Sequence, residues 1–170
     1  MQNIKIIYFL IIFIGCNQME NKAPLIPMED FFRNPEKSSF RISPDGSHIA
    51  YMKPWKKRMN VYVVNIATDV EKRLTSSEER SIYGFLWLGD ERIGYVKDDG
   101  GDENMHFYAV NKDGSNEIDL TPFENVKATI VDDLDEDPQH VILGLNKRNK
   151  QIFDPYRVNV NTGKMEMIAE

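Results

Sequence analysis

The chain has 170 residues, 41% hydrophobic and 28% charged, with 27 acidic against 21 basic side chains and a formal net charge of −6. A surface of that sign argues against nucleic acid, whose phosphates need a basic face. A single cysteine, Cys16, excludes any internal disulfide.

The first residues, "MQNIKIIYFLIIFIGCNQ", place one lysine ahead of an apolar run from Ile6 to Ile14, then Gly15 and Cys16. A positive start, an apolar stretch of about ten residues and a small residue before the cut form the secretory pattern. The run is too short to span a bilayer, which takes roughly 20 residues. A lone Cys after Gly resembles a bacterial lipoprotein signal, so residues 1–15 are expected to be a leader and Cys16 the lipidated N-terminus. The alternative is a plain leader with an incidental cysteine. The expected location is the cell envelope, exported and lipid-anchored, periplasm-facing or in the outer membrane. Residues 16–25 are polar at first and read as a flexible tether. In "LIPMEDFFRNP", Pro27 followed by Glu29 and Asp30 suits the first turn of a short helix. Residues 26–38 are therefore expected to form a small latch, burying Phe31 and Phe32.

Strand signals take over from residue 39. Residues 40–42 meet the turn Ser43-Pro44-Asp45-Gly46, and 48–53, 61–66 and 71–75 complete a first group. A second group runs through "IYGFLWLGDERIGYVKD" (82–98), "HFYAVN" (106–111), the turn 112–115 and "EIDLT" (117–121). A third runs through "ATIVDDLDEDPQHVILGLN" (128–146), "PYRVNV" (155–160), the turn 161–164 and "MEMIA" (165–169). Asn65, Asn111 and Asn159 end the third strand of each group, spaced 46 and 48 residues apart. Four short antiparallel strands repeated at this period are the signature of β-propeller blades. The expected fold is all-β, a partial propeller of three four-stranded blades at residues 39–79, 80–125 and 126–170. Closing a ring takes about four to eight blades. The expectation is a continuation carrying the others; the alternative is ring completion by several copies.

"IPMEDFFRNPEKSSFRISPDGSHIAYM", "GDENMHFYAVNKDGSNEIDLTPFENVKA" and "DPQHVILGLNKRNKQIFDPYRVNVNTGKMEMI" resemble the N-terminal propeller of prolyl oligopeptidase family serine peptidases, in the acylaminoacyl-peptidase and dipeptidyl-peptidase-like branch. The resemblance covers residues 24–170. It implies a propeller that filters short or unstructured peptides ahead of an α/β-hydrolase domain, where Ser, Asp and His perform acyl transfer. Such a protein would have as partners its peptide substrates, further blades, that hydrolase domain and, through the lipid, a membrane. No serine here lies in G-x-S-x-G; Ser47 and Ser115 have Asp two residues before them. No catalytic residue is therefore expected in this stretch. TolB-like propellers share the "SPDG" turn, and a protein- or peptide-binding lipoprotein of that kind is the alternative.

The remaining candidates read as structural. His48, His106 and His140 sit beside apolar runs without the spacing of a metal or catalytic motif, and neither cofactor nor metal is expected. "DDGGDE" (98–103) lacks the ligand order of an EF-hand and reads as a solvated hairpin, as does "DDLDED" (132–137). "KPWKKR" (53–58), with Trp55 inside it, reads as a long loop between two strands, with contact to anionic lipid headgroups as its functional reading. Tyr83, Phe85 and Trp87 alternate on one strand face and are expected in a core between blades.

Overall fold

The computed structural model describes residues 23–170. The leader (1–15) and Cys16 lie outside the described residues, as does most of the tether. The chain divides into a unit ending at Arg33 and a second unit, residues 34–170. In the first, helix α1 spans only Met28–Phe32 and buries none of its residues. The wider latch expected over 26–38 is thus corrected. Pro27 and the acids of the first turn start the helix, but a single turn makes too few hydrogen bonds to propagate.

The second unit contains three antiparallel sheets of four strands each, every sheet built from consecutive strands. The first holds β1 (Ser38–Ile42), β2 (His48–Trp55), β3 (Arg58–Asn65) and β4 (Glu71–Arg73). The second holds β5 (Gly84–Leu88), β6 (Arg92–Lys97), β7 (His106–Asn111) and β8 (Ile118–Asp119). The third holds β9 (Ala128–Asp132), β10 (His140–Asn149), β11 (Ile152–Asn159) and β12 (Met165–Met167). The repeated four-strand blade is therefore present three times.

Strand periodicity explains how the sheets stack. Successive side chains point to opposite faces, so the apolar run Gly84–Leu88 serves two cores at once. Phe85, with Ile93, Tyr95 and Val110, meets Ala50, Met52, Val61 and Val63 of the first sheet. Leu86 and Leu88, with Phe107 and Ala109, meet Val141, Leu143, Leu145 and Val158 of the third. Each fully buried apolar side chain contributes about 1.5–3 kcal/mol. The middle sheet is covered on both faces. On the far faces of the outer sheets, Phe40 and Val131 remain 60% and 58% exposed.

The turns repeat as well. Asn65 Oδ1 accepts from the amides of Ala67 and Thr68, both at 3.0 Å, and from Thr68 Oγ1. Asn159 Oδ1 repeats this with Asn161, Thr162 and Thr162 Oγ1. A side-chain acceptor placed this way imitates the backbone of a turn. In the middle sheet Asn111 Oδ1 instead accepts from Arg92 Nη1 at 2.6 Å, and Asp113 organises the turn through Ser115. The first residue of each second strand pairs with that asparagine: His48 with Asn65, Arg92 with Asn111, His140 with Asn159.

Two sequence expectations change. "KPWKKR" is not a long loop. Lys53–Trp55 and Arg58 lie in strands, and only Lys56 and Lys57 turn the chain, at φ +47° and +69°. Two central residues of positive φ make the tight reversal that matches strand twist. Tyr83 precedes β5 and is 53% exposed, so it does not share the core position of Phe85. Trp87 does pack against that core, and its Nε1 donates to the Arg41 carbonyl at 3.2 Å.

Candidate functional site

The first strands of the sheets, β1, β5 and β9, stand at one edge of each sheet. They bound a cavity of about 760 Å³ lined by Arg41, Phe85, Leu86, Ala128, Ile130 and Asp132, with Tyr83 and Phe153 at its margin. Its walls are largely apolar, while Arg41, Lys127, Asp132 and Asp133 supply charge of both signs. Few, spaced polar groups on an apolar wall are what an adaptable binding cleft provides.

Close packing shapes this cleft. A Cβ on Gly144 would lie 2.9 Å from Thr129 Cγ2 and 3.4 Å from Val131 Cγ2, so glycine lets β9 settle against β10. At the margin, Arg80 Nη2 donates to the Tyr83 hydroxyl at 3.0 Å, and Arg80 Nε donates to Asp98 Oδ1 at 3.3 Å. The Asp98 side chain is wholly buried, and its second oxygen has no partner among the described residues. "DDGGDE" is accordingly not uniformly solvated. Its first acid is an anchor for the segment before β5, a role no local spacing announces because Arg80 lies 18 positions away.

Each of the three histidines pairs with side chains of its own sheet or its turns. His106 Nδ1 lies 2.8 Å from Asp119 Oδ2, joining β7 to β8. His140 Nδ1 lies 3.0 Å from Asp137 Oδ2, and Arg157 also pairs with that carboxylate. Arg157 and then His140 hold the Asp137 carboxyl below the usual carboxylate range. His48 Nδ1 lies 2.6 Å from Ser47 Oγ, a pairing reminiscent of a nucleophile with its base. The same hydroxyl, however, contacts both Asp45 oxygens, at 2.8 and 2.7 Å. Ser43 Oγ reaches Asp45 at 2.6 Å, and these bonds hold its carboxyl well below its ordinary range. Ser47 is thus committed to closing an exposed turn. Among the described residues no three His, Cys, Asp or Glu side chains cluster to hold a metal.

Tyrosines mark equivalent places in the first two sheets. Tyr51 stacks on Tyr62 and donates to Glu71; Tyr95 stacks on Tyr108 and donates to Glu117. Burial, then the neighbouring Glu71, pushes the Tyr51 hydroxyl up to about 12, and Tyr95 moves further the same way.

No family model matches the sequence. It is 30% identical over 148 residues, 86% of its length, to dipeptidyl aminopeptidase BIII of Pseudoxanthomonas mexicana. The chain is a homologue of a dipeptidyl aminopeptidase. It spans about a fifth of that relative, 22% of its length. Among solved structures, the propeller domain of the trilobed protease from Pyrococcus furiosus aligns with a TM-score of 0.58 at 20% identity, over 79% of this chain and 43% of that one. A TolB from Agrobacterium tumefaciens aligns with a TM-score of 0.54 at 18% identity, over 79% and 50%. The likeness to peptidase propellers read from the motifs is borne out, and so is the propeller fold. Cys16, the one site residue expected from the sequence, lies outside the described residues.

Proposed function

We propose that this chain is the substrate-gating propeller portion of a peptidase related to the prolyl oligopeptidase family, acting ahead of a hydrolase domain that cleaves short peptides. The observation that carries this reading is the 30% identity to a dipeptidyl aminopeptidase over nearly all of the chain. The cleft between β1, β5 and β9 supports it. An apolar wall with sparse charge of both signs accepts an extended peptide whatever its side chains and excludes a folded protein by size. The far faces around Phe40 and Val131 would then receive further blades, which supply the apolar contact those side chains lack. The chain is exported and held in the cell envelope through a lipid on Cys16, so that gating takes place beside a membrane.

The test reads the coding DNA beyond codon 170. Further four-stranded repeats followed by a G-x-S-x-G segment support the proposal; an immediate stop with neither refutes it. Labelling cells with radioactive palmitate checks the anchor. Label on the chain that disappears in Cys16→Ala supports it, and an unlabelled chain removes it. The similarity to TolB favours a second reading, a lipoprotein that binds proteins or peptides without hydrolysing them.

A further inference from the structure

Charge in the second unit is unevenly distributed along the strands. The connections from first to second strand carry Asp45 in the first sheet, Asp90 and Glu91 in the second, and Asp133, Asp135, Glu136 and Asp137 in the third. At the other end lie the hairpins from second to third strand. Two of the three are basic: Lys56, Lys57 and Arg58 in the first sheet, Lys147, Lys150 and Arg148, the last paired with Asp154, in the third. The middle one is acidic: Asp98 is buried against Arg80, while Asp99, Asp102 and Glu103 are exposed.

The first-sheet hairpin is the most developed of these tips. Trp55 is half-buried, with Arg73 Cζ 3.8 Å and Lys56 Nζ 4.7 Å from its ring. Lys57 and Arg58 are exposed and form no ion pair among the described residues, whereas Lys56 reaches Glu78 at 2.7 Å. The chain also comes into the sheets at this end. Ser38 pairs with Met52, and Asn34 Nδ2 donates to the Lys57 carbonyl at 3.5 Å. Residues 34–38 therefore run beside the basic tip.

We infer that the Trp55–Arg58 hairpin rests on an anionic membrane surface, with the Lys147–Lys150 hairpin as a second foot and the acidic turns directed away. The inference rests on the envelope-anchored reading above. The chemistry is that of headgroup phosphates: cations on a short rigid turn meet them at the surface, and an amphipathic indole suits the boundary between headgroups and acyl chains. The opposite end is the poorer match, because all three of its first-to-second connections are acidic and would meet the same field with repulsion. Orientation follows from the two ends together, on a protein whose net charge alone predicts no attraction.

The test is flotation of the full chain with vesicles of phosphatidylcholine alone or mixed with phosphatidylglycerol. Lys56→Asn combined with Lys57→Gly removes two charges and installs the pair best suited to both positive φ values, so the hairpin persists. At about 1 kcal/mol for each surface charge, this variant is expected to bind the anionic vesicles roughly thirtyfold more weakly at low salt. Lys112→Asn with Lys164→Asn removes the same charge from the acidic end and is expected to change binding less than twofold. Equal weakening by both pairs, or no weakening by the hairpin pair, overturns the inference. So does full competition by millimolar inorganic phosphate, which would make the tip a small-anion site. Binding to neutral vesicles reads the lipid anchor separately. If it is absent while salt-sensitive, hairpin-dependent binding to anionic vesicles persists, the anchor reading fails and the membrane-facing tip stands.

Discussion

Gly94 occupies the middle of β6, opposite Ala109, in ordinary strand conformation. Replacing it with alanine would normally stabilise a strand by about 0.4–1 kcal/mol, by restricting the unfolded chain. Here the new methyl would lie 2.5 Å from Phe107 Cζ and 3.0 Å from Leu88 Cδ1. Carbon atoms prefer about 3.5–4.0 Å, so the ring must retreat by roughly 1 Å. Phe107 is fully buried in the core shared with the third sheet, where close packing means its ring retreats only by displacing neighbours. Overpacking of this kind costs typically about 1–3 kcal/mol, which exceeds the entropic gain. Gly94→Ala is expected to lower the urea midpoint accordingly. Phe107→Leu destabilises on its own by leaving a cavity, yet it removes the atom that clashes. In that background Gly94→Ala is expected to be neutral or to stabilise by up to about 1 kcal/mol. The coupling measured by the double-mutant cycle should therefore be about 1–3 kcal/mol in the compensating direction. Equal losses in both backgrounds would refute the packing argument, because the Phe107 ring would then not be what excludes a side chain at position 94.

Two further outcomes follow from the turns and the ion pairs. Asn159→Ala deprives two amides and one hydroxyl of their acceptor and is expected to cost about 1–2 kcal/mol in chemical denaturation, with Asn159→Asp recovering most of it; equal losses would show that the acceptor is unimportant. Arg148 grips Asp154 through Nε at 3.0 Å and Nη2 at 2.9 Å and holds its carboxyl below the ordinary value. A depressed acid stabilises the fold above its unfolded pKa, about 3.9, and that contribution disappears as pH falls through the lower folded value. Asp154→Asn should thus be less stable than the parent at pH 7, with the two urea midpoints converging below about pH 4; a constant gap down to pH 2 would contradict the pairing.

Much of the fold was legible because a strand advertises itself locally. Alternation along residues 84–88 and the Ser-Pro-Asp-Gly turn are short-range signals, the asparagine at 65, 111 and 159 recurs once per blade, and each corresponds to an observed element. The 53–58 reversal is not legible in the sequence because two lysines at positive φ form it, with no glycine or asparagine to mark the turn. There the pairing of Lys53, Pro54 and Trp55 with Asn60, Met59 and Arg58 extends the ladder to the very tip, and cross-strand pairing outweighs turn preference. The period of two does not reach Tyr83, because β5 begins at Gly84 and Arg80 takes hold of the Tyr83 hydroxyl.

The sequence by itself determined the all-β class and the repeat, since both depend on spacing within a few tens of residues, and its motifs carried the peptidase resemblance. Only the tertiary structure decided which face of each sheet meets which neighbour, that Asp98 is buried on Arg80, and that three sheet edges enclose a cleft. Those relations join side chains from separate strands, and the free energy that selects them is that of packing and desolvation between sheets, which no local pattern encodes.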